Sequence, residues 1–147
     1  MQQDSPSRNP EEERRALQAS EKMYREMVEN ASDLIYVIGL KGNFTSINRA
    51  AQRISGFTRA EALKMNIAQL VAPEYLESTR QMIQKALRGE RPTTYDLEIV
   101  TKDGRRVMLE ISHQLQLQNG IPHGTHAIAR DITDRRRQET LDRHRAR

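Results

Sequence analysis

The chain has 147 residues, enough for one domain with flanking segments and too few for two ordinary domains. With no cysteine it has no disulfide, no thiolate metal site and no cysteine nucleophile, and no apolar run approaches the length of a membrane span or a secretory signal. The net charge of +4 invites a nucleic-acid reading, but the excess sits largely at Arg130, Arg135, Arg136, Arg137, Arg143, Arg145 and Arg147, and aromatic residues are only 4%, too few for a base-stacking surface. A cytoplasmic protein with neither a membrane nor a nucleic-acid partner is expected.

Residues 1–8 are polar and expected to be disordered. A helix is predicted over residues 9–31: Asn9 can cap it, Pro10 suits its first position, and Glu12 is the third residue after the cap. Its apolar stripe of Leu17, Tyr24, Met27 and Val28 is too thin for a buried helix. It suits a helix lying on a sheet or pairing with a copy of itself, so these four residues are the expected dimer contacts.

From Asp33 the period changes. "DLIYVIG" and "FTSIN" read as two strands joined by a turn at "LKGN". Asn48 can cap a short helix that stops at Gly56, and Thr58 to Glu61 is a capping box for another. An irregular stretch follows. Pro73 is expected to open the longest helix of the middle section, with Leu76, Thr79, Ile83 and Leu87 on one face until Gly89. Three strands then close the domain, with Asn119–Gly120 as a strong hairpin signal before the last. Two strands, several helices and three strands predict an α+β domain, an antiparallel sheet with helices on one face. The last strand runs into the charged helix of residues 134–147 with no Gly or Pro between. That helix has no C-terminal cap, so the chain is expected to be a piece of a longer protein.

This order, with "NRAAQRISGFTRAEALKMN", "TKDGRRVMLEIS" and "NGIPHGTHAIARDIT", resembles the PAS family of sensory modules. The resemblance implies a five-stranded antiparallel sheet over residues 32–133. It also implies a site for a small ligand or cofactor between helices and sheet, self-association, and an exit motif at Asp131, Ile132 and Thr133 that relays a signal through the last helix. The output would be an attached or partner domain such as a histidine kinase or diguanylate cyclase. Gly39 departs from the family, where many members carry Asp.

The cofactor stays unassigned. Ile67 stands where light-sensing members place a reactive Cys, so a flavin–thiol adduct is excluded. The long helix lacks the His by which other members hold haem, with Ser78 or Thr79 near that place. Candidate ligand contacts are Asn48, Ile67, Tyr95, Leu97, Ile111, His113 and Ala127. His113 is the unusual polar residue on an apolar strand face; a satisfied core histidine is its commoner meaning. A two-residue loop at Asn119–Gly120 would set His113 opposite His126, a weak two-ligand metal site. A three-residue loop would turn it inward with Thr125, Ala127 and Ala129. The second register is favoured, because the resemblance implies small residues there. Tyr95 is expected in the core with its hydroxyl at the rim, and capping alone already explains Asn48.

No nucleophile–base pair, phosphate loop or metal cluster emerges from the spacing, so the chain is expected to be non-catalytic. The competing reading is a ligand-free interaction and dimerisation scaffold, or a regulator module in transcription control.

Overall fold

The computed structural model describes residues 9–145. The expected disorder of residues 1–8 lies outside these, as do the last two residues of the expected C-terminal helix. Helix α1 (Pro10–Asn30) starts as its sequence predicts: Asn9 Oδ1 accepts from the Glu12 N–H at 2.8 Å, and Pro10 occupies the first turn. The helix buries none of its residues fully.

The sheet contains β1 (Leu34–Gly39), β2 (Phe44–Ile47), β3 (Tyr95–Val100), β4 (Arg106–Gln118) and β5 (Ile121–Asp131), all antiparallel in the order β2-β1-β5-β4-β3. Alternation along each strand puts one set of side chains inside: Leu34, Tyr36 and Ile38 on β1, Leu97 and Ile99 on β3, Val107, Leu109 and Ile111 on β4, Ala127 and Ala129 on β5. Each large aliphatic member contributes roughly 1.5–3 kcal/mol of burial. Helices α2 (Arg49–Ser55), α3 (Arg59–Ala62), α4 (Ile67–Leu70) and α5 (Leu76–Leu87) supply the other wall of this core. The fold is the expected α+β architecture.

The short helices follow their caps. Asn48 Oδ1 accepts from Ala51 N–H, and Gly56, at φ +81°, ends α2. Thr58 and Glu61 form the capping box at the start of α3. Two segments differ from expectation. The stretch read as irregular contains α4, a single turn held by a second box in which Asn66 caps Ala68 N–H and Gln69 bonds back to Asn66 N–H. Pro73 opens only a 3₁₀ turn (Pro73–Tyr75), and the α-helix begins at Leu76.

The β4–β5 hairpin resolves the register of His113. Asn119 and Gly120 form a two-residue turn, both with positive φ (53° and 78°), and Gln118 pairs with Ile121. The pairing then slips: Leu117 faces Pro122 but Gln116 faces Gly124, leaving His123 as an extra residue. Beyond this bulge His113 faces Ala127, and His126 faces Gln114. The inward register is therefore correct, through a bulge rather than a three-residue loop. His113 and His126 lie on opposite sheet faces and cannot share a metal.

Candidate functional site

A cavity of about 390 Å³ lies where α5 passes α4 and the β1–β2 turn. The α5 face that the sequence marked (Leu76, Thr79, Ile83, Leu87) forms one side, and Ile67, Val71 and Leu40 form much of the rest. That volume is within the ordinary range for small-molecule sites. Polar groups gather at its rim: Lys41, Glu77, Arg80 and Gln84. Glu77 and Arg80 hold each other through a two-toothed ion pair, which keeps the Glu77 carboxyl below its ordinary value.

Behind α5 the inner sheet face carries a polar chain inside the core. The Tyr95 hydroxyl is 2.6 Å from His113 Nε2, and the two rings stack with centroids 5.7 Å apart. His113 Nδ1 stands 3.5 Å from Thr125 Oγ1, and the Tyr36 ring meets the imidazole edge-on. Burial lowers the His113 pKa to about 4 and raises that of Tyr95. The imidazole is therefore neutral near pH 7 and the phenol protonated, so Tyr95 O–H donates to Nε2 and the ring's own proton sits on Nδ1, toward Thr125. Thr79 Oγ1, on α5, is enclosed without a hydrogen-bond partner. Leaving such a group unpaired costs roughly 1–3 kcal/mol.

This burial sets a pH dependence. The folded-state pKa of His113, about 4, lies below the 6.5 of a free imidazole, so between these values the unfolded chain binds more protons. Stability is full above about pH 6.5 and is lost as the pH falls toward 4, by about 3 kcal/mol for this group. Urea denaturation of the protein and of His113→Asn at neutral and acidic pH should show this excess acid sensitivity in the parent alone. Parallel pH profiles would contradict it. Burial also lowers the pKa of His126, but that contribution is common to both proteins and cancels in the difference.

On the outer sheet face a groove of about 550 Å³ runs between α1 and β1, lined by Tyr24, Val28, Ile35, Val37 and His126. The α1 stripe is open: Leu17, Tyr24 and Met27 are 60%, 59% and 66% exposed, and Val28 is half-buried. At the far end, β5 passes directly into α6 (Thr133–Arg145). Ile132 is buried and its N–H donates to the Met108 carbonyl. Thr133 accepts from Met108 N–H through its hydroxyl, and both its N–H and its O–H donate to Asp131 Oδ1. Arg135 pairs with Glu110, and Arg136 with Asp96, fastening the first turn of α6 to β4 and β3.

The model of the PAS fold matches residues 22–132, most of the chain and all five strands. The chain belongs to the PAS family. It is 27% identical over 129 residues to the methyl sulfide methyltransferase-associated sensor of Methanosarcina acetivorans, covering 87% of this chain and 13% of that protein. It is 26% identical over 130 residues to the sensor histidine kinase TmoS of Ectopseudomonas mendocina, covering 86% and 13%. The chain thus spans only about an eighth of these curated relatives. The PAS domain of a protein from Colwellia psychrerythraea superposes with a TM-score of 0.72 at 22% identity, covering 78% of this chain and 98% of that one.

Within this PAS domain the proposed ligand contacts separate into two groups. Ile67 lines the cavity. Leu97, Ile111 and Ala127 are enclosed in the packed core, and Tyr95 and His113 satisfy each other. Asn48 is 1% exposed and every hydrogen-bonding position of its amide is taken, so it is a structural joint rather than a free contact. Residue-level reading missed Leu40, Lys41 and Arg80 on the cavity wall. The α5 periodicity offered a signal only for Arg80, one residue beyond the Thr79 face. Among the described residues no cluster of His, Asp and Glu could hold a metal ion, and no helix is long and apolar enough to cross a membrane.

Proposed function

We propose that this PAS domain is a cytoplasmic, non-catalytic sensory module. It takes a small molecule in the cavity beside α5 and relays its state through α6 to an output domain, such as a histidine kinase or a diguanylate cyclase. The observation that carries this reading is the β5–α6 junction. A buried Ile132, the Asp131–Thr133 cap and two ion pairs join strand to helix without a flexible link, so a shift of β4 or β5 moves α6 as a unit. The α1 stripe and outer-face groove support a homodimer, which would set two copies of α6 to act together. A second reading, a ligand-free dimerising scaffold, is favoured by the inner sheet face itself, where Tyr95 and His113 are bonded to each other rather than turned to a ligand.

Purification without added cofactors, followed by absorption and native mass spectra, tests these readings together. A dimer carrying an extra small mass or a chromophore band is the expected result. A colourless dimer of bare polypeptide mass favours the scaffold. A protein that stays monomeric at high concentration removes the dimer from both.

A further inference from the structure

The cavity's charge pattern narrows what it can hold, an inference that rests on this cavity being the sensory site. Its interior is hydrocarbon, from Ile67, Val71, Leu76, Ile83 and Leu87. Most of the polar groups that reach it are already engaged. Asn66 Nδ2 donates to the Lys41 carbonyl at 2.8 Å and to Asn43 Oδ1 at 2.9 Å, while Asn66 Oδ1 accepts from Ala68 N–H. Arg80 is forked onto Glu77; the Thr79 hydroxyl alone is enclosed without a partner. Among the described residues this leaves Lys41 as the rim cation with no ion-pair partner; the remaining polar side chain on the wall, Gln84, is uncharged.

Lys41 is not on a loose loop. Ile67 N–H donates to the Gly42 carbonyl at 2.8 Å, and Phe44 N–H to the Met65 carbonyl at 3.1 Å. Gly42 has φ +88°, and a Cβ there would press on Ile67 Cγ2 at 3.0 Å and Asn66 Oδ1 at 3.2 Å. The turn is thus seated against α4, with its exposed lysine at the mouth.

We propose that the cavity takes an amphipathic monocarboxylate, with its alkyl or aryl body among the aliphatic side chains and its carboxylate at the mouth beside Lys41. A carboxylate carried into the interior would find no counterion, and the one unpaired hydroxyl there, Thr79 Oγ1, would not replace the water it loses, so its desolvation would oppose binding. Held at the rim, it keeps water and gains the ammonium. A dry cavity of about 150 Å³ admits benzene, so 390 Å³ accommodates a body on the order of ten carbon atoms.

Isothermal titration of the full chain with octanoate, octan-1-ol and octylammonium at low ionic strength tests this. Octanoate should bind about fivefold more tightly than the alcohol, the advantage of one partly solvated ion pair. High salt should shrink that margin. Lys41→Gln, a surface change, should bring octanoate down to the alcohol's affinity and leave the alcohol unchanged. Equal affinity for octanoate and octanol, a margin that survives in Lys41→Gln, or a preference for octylammonium would each overturn the carboxylate assignment while leaving the cavity as a binding site. If none of the three binds, the sensory reading of the cavity fails and the assignment falls with it.

Discussion

Gly124→Ala should abolish or nearly abolish the native fold, whereas Gly39→Ala, directly across the β1–β5 pair, should fold normally. The two glycines face each other where β1 and β5 meet beside the bulge, yet their surroundings differ. A Cβ on Gly124 would overlap the Ile38 carbonyl oxygen and come within 3.0 Å of Gly39 Cα and of the Ile38 carbonyl carbon. All three are backbone atoms of the neighbouring strand, so no side-chain rotation relieves the overlap. Relief would require β1 and β5 to separate, and these are two of the three central strands of the sheet. A Cβ on Gly39 would meet nothing nearer than the Asn43 carbonyl oxygen at 3.9 Å, an ordinary contact. The expected loss for Gly124→Ala is about 4 kcal/mol or more, a large share of the total stability of such a domain. Urea denaturation followed by circular dichroism checks both variants. A Gly124→Ala protein with the parental midpoint would mean that β1 and β5 do not approach this closely.

The same corner shows where sequence reasoning reaches and where it stops. Asn119–Gly120 announces a two-residue hairpin because both residues need positive φ, and that local chemistry is visible in two letters. The slip at His123 is not local. It is set by which residues of β4 and β5 must face the core, and by the close approach that only a glycine at 124 permits. Had the two-residue turn alone decided the register, His113 would have been placed opposite His126. The small inward residues Thr125, Ala127 and Ala129 were the signal that pointed the right way. Helix α4 was legible but unread: Asn66 followed three residues later by Gln69 is a capping pair of the kind recognised at Thr58 and Glu61. The cavity was less legible. Its wall combines residues from the β1–β2 turn, α4 and α5 that are distant in sequence, and no periodicity within one element marks Leu40 or Lys41 as neighbours of Leu87.

Asn48 was legible as a helix cap, but its larger role depends on contacts that no local pattern reveals. Its side-chain oxygen accepts from Ala51 N–H and from Ile35 N–H, both at 3.0 Å, and its amide nitrogen donates to the carbonyls of Val28 and Asp33, both at 2.9 Å. Its own N–H donates to the Ile35 carbonyl. One buried side chain therefore joins the end of α1, the connecting segment, β1 and the start of α2. Asn48→Ala should lower stability by about 3 kcal/mol, because a cap is lost and buried backbone groups on three segments lose their partner together. Asn48→Asp isolates one half of the joint. The carboxylate can still accept from Ile35 and Ala51, but it sets an oxygen against the Val28 and Asp33 carbonyls, and moving α1 and the connecting segment away relieves that repulsion. Hydrogen exchange should then quicken in the last turns of α1 while β1 and α2 stay protected. If α1 keeps its parental protection in Asn48→Asp, the exposed salt bridges of Glu29 with Arg49 and Arg59 hold the helix instead. The outcome bears on function, because the same helix carries the exposed Leu17, Tyr24 and Met27. A helix freed from Asn48 would carry its stripe away from the outer-sheet groove, so this one amide would set where any partner helix finds it.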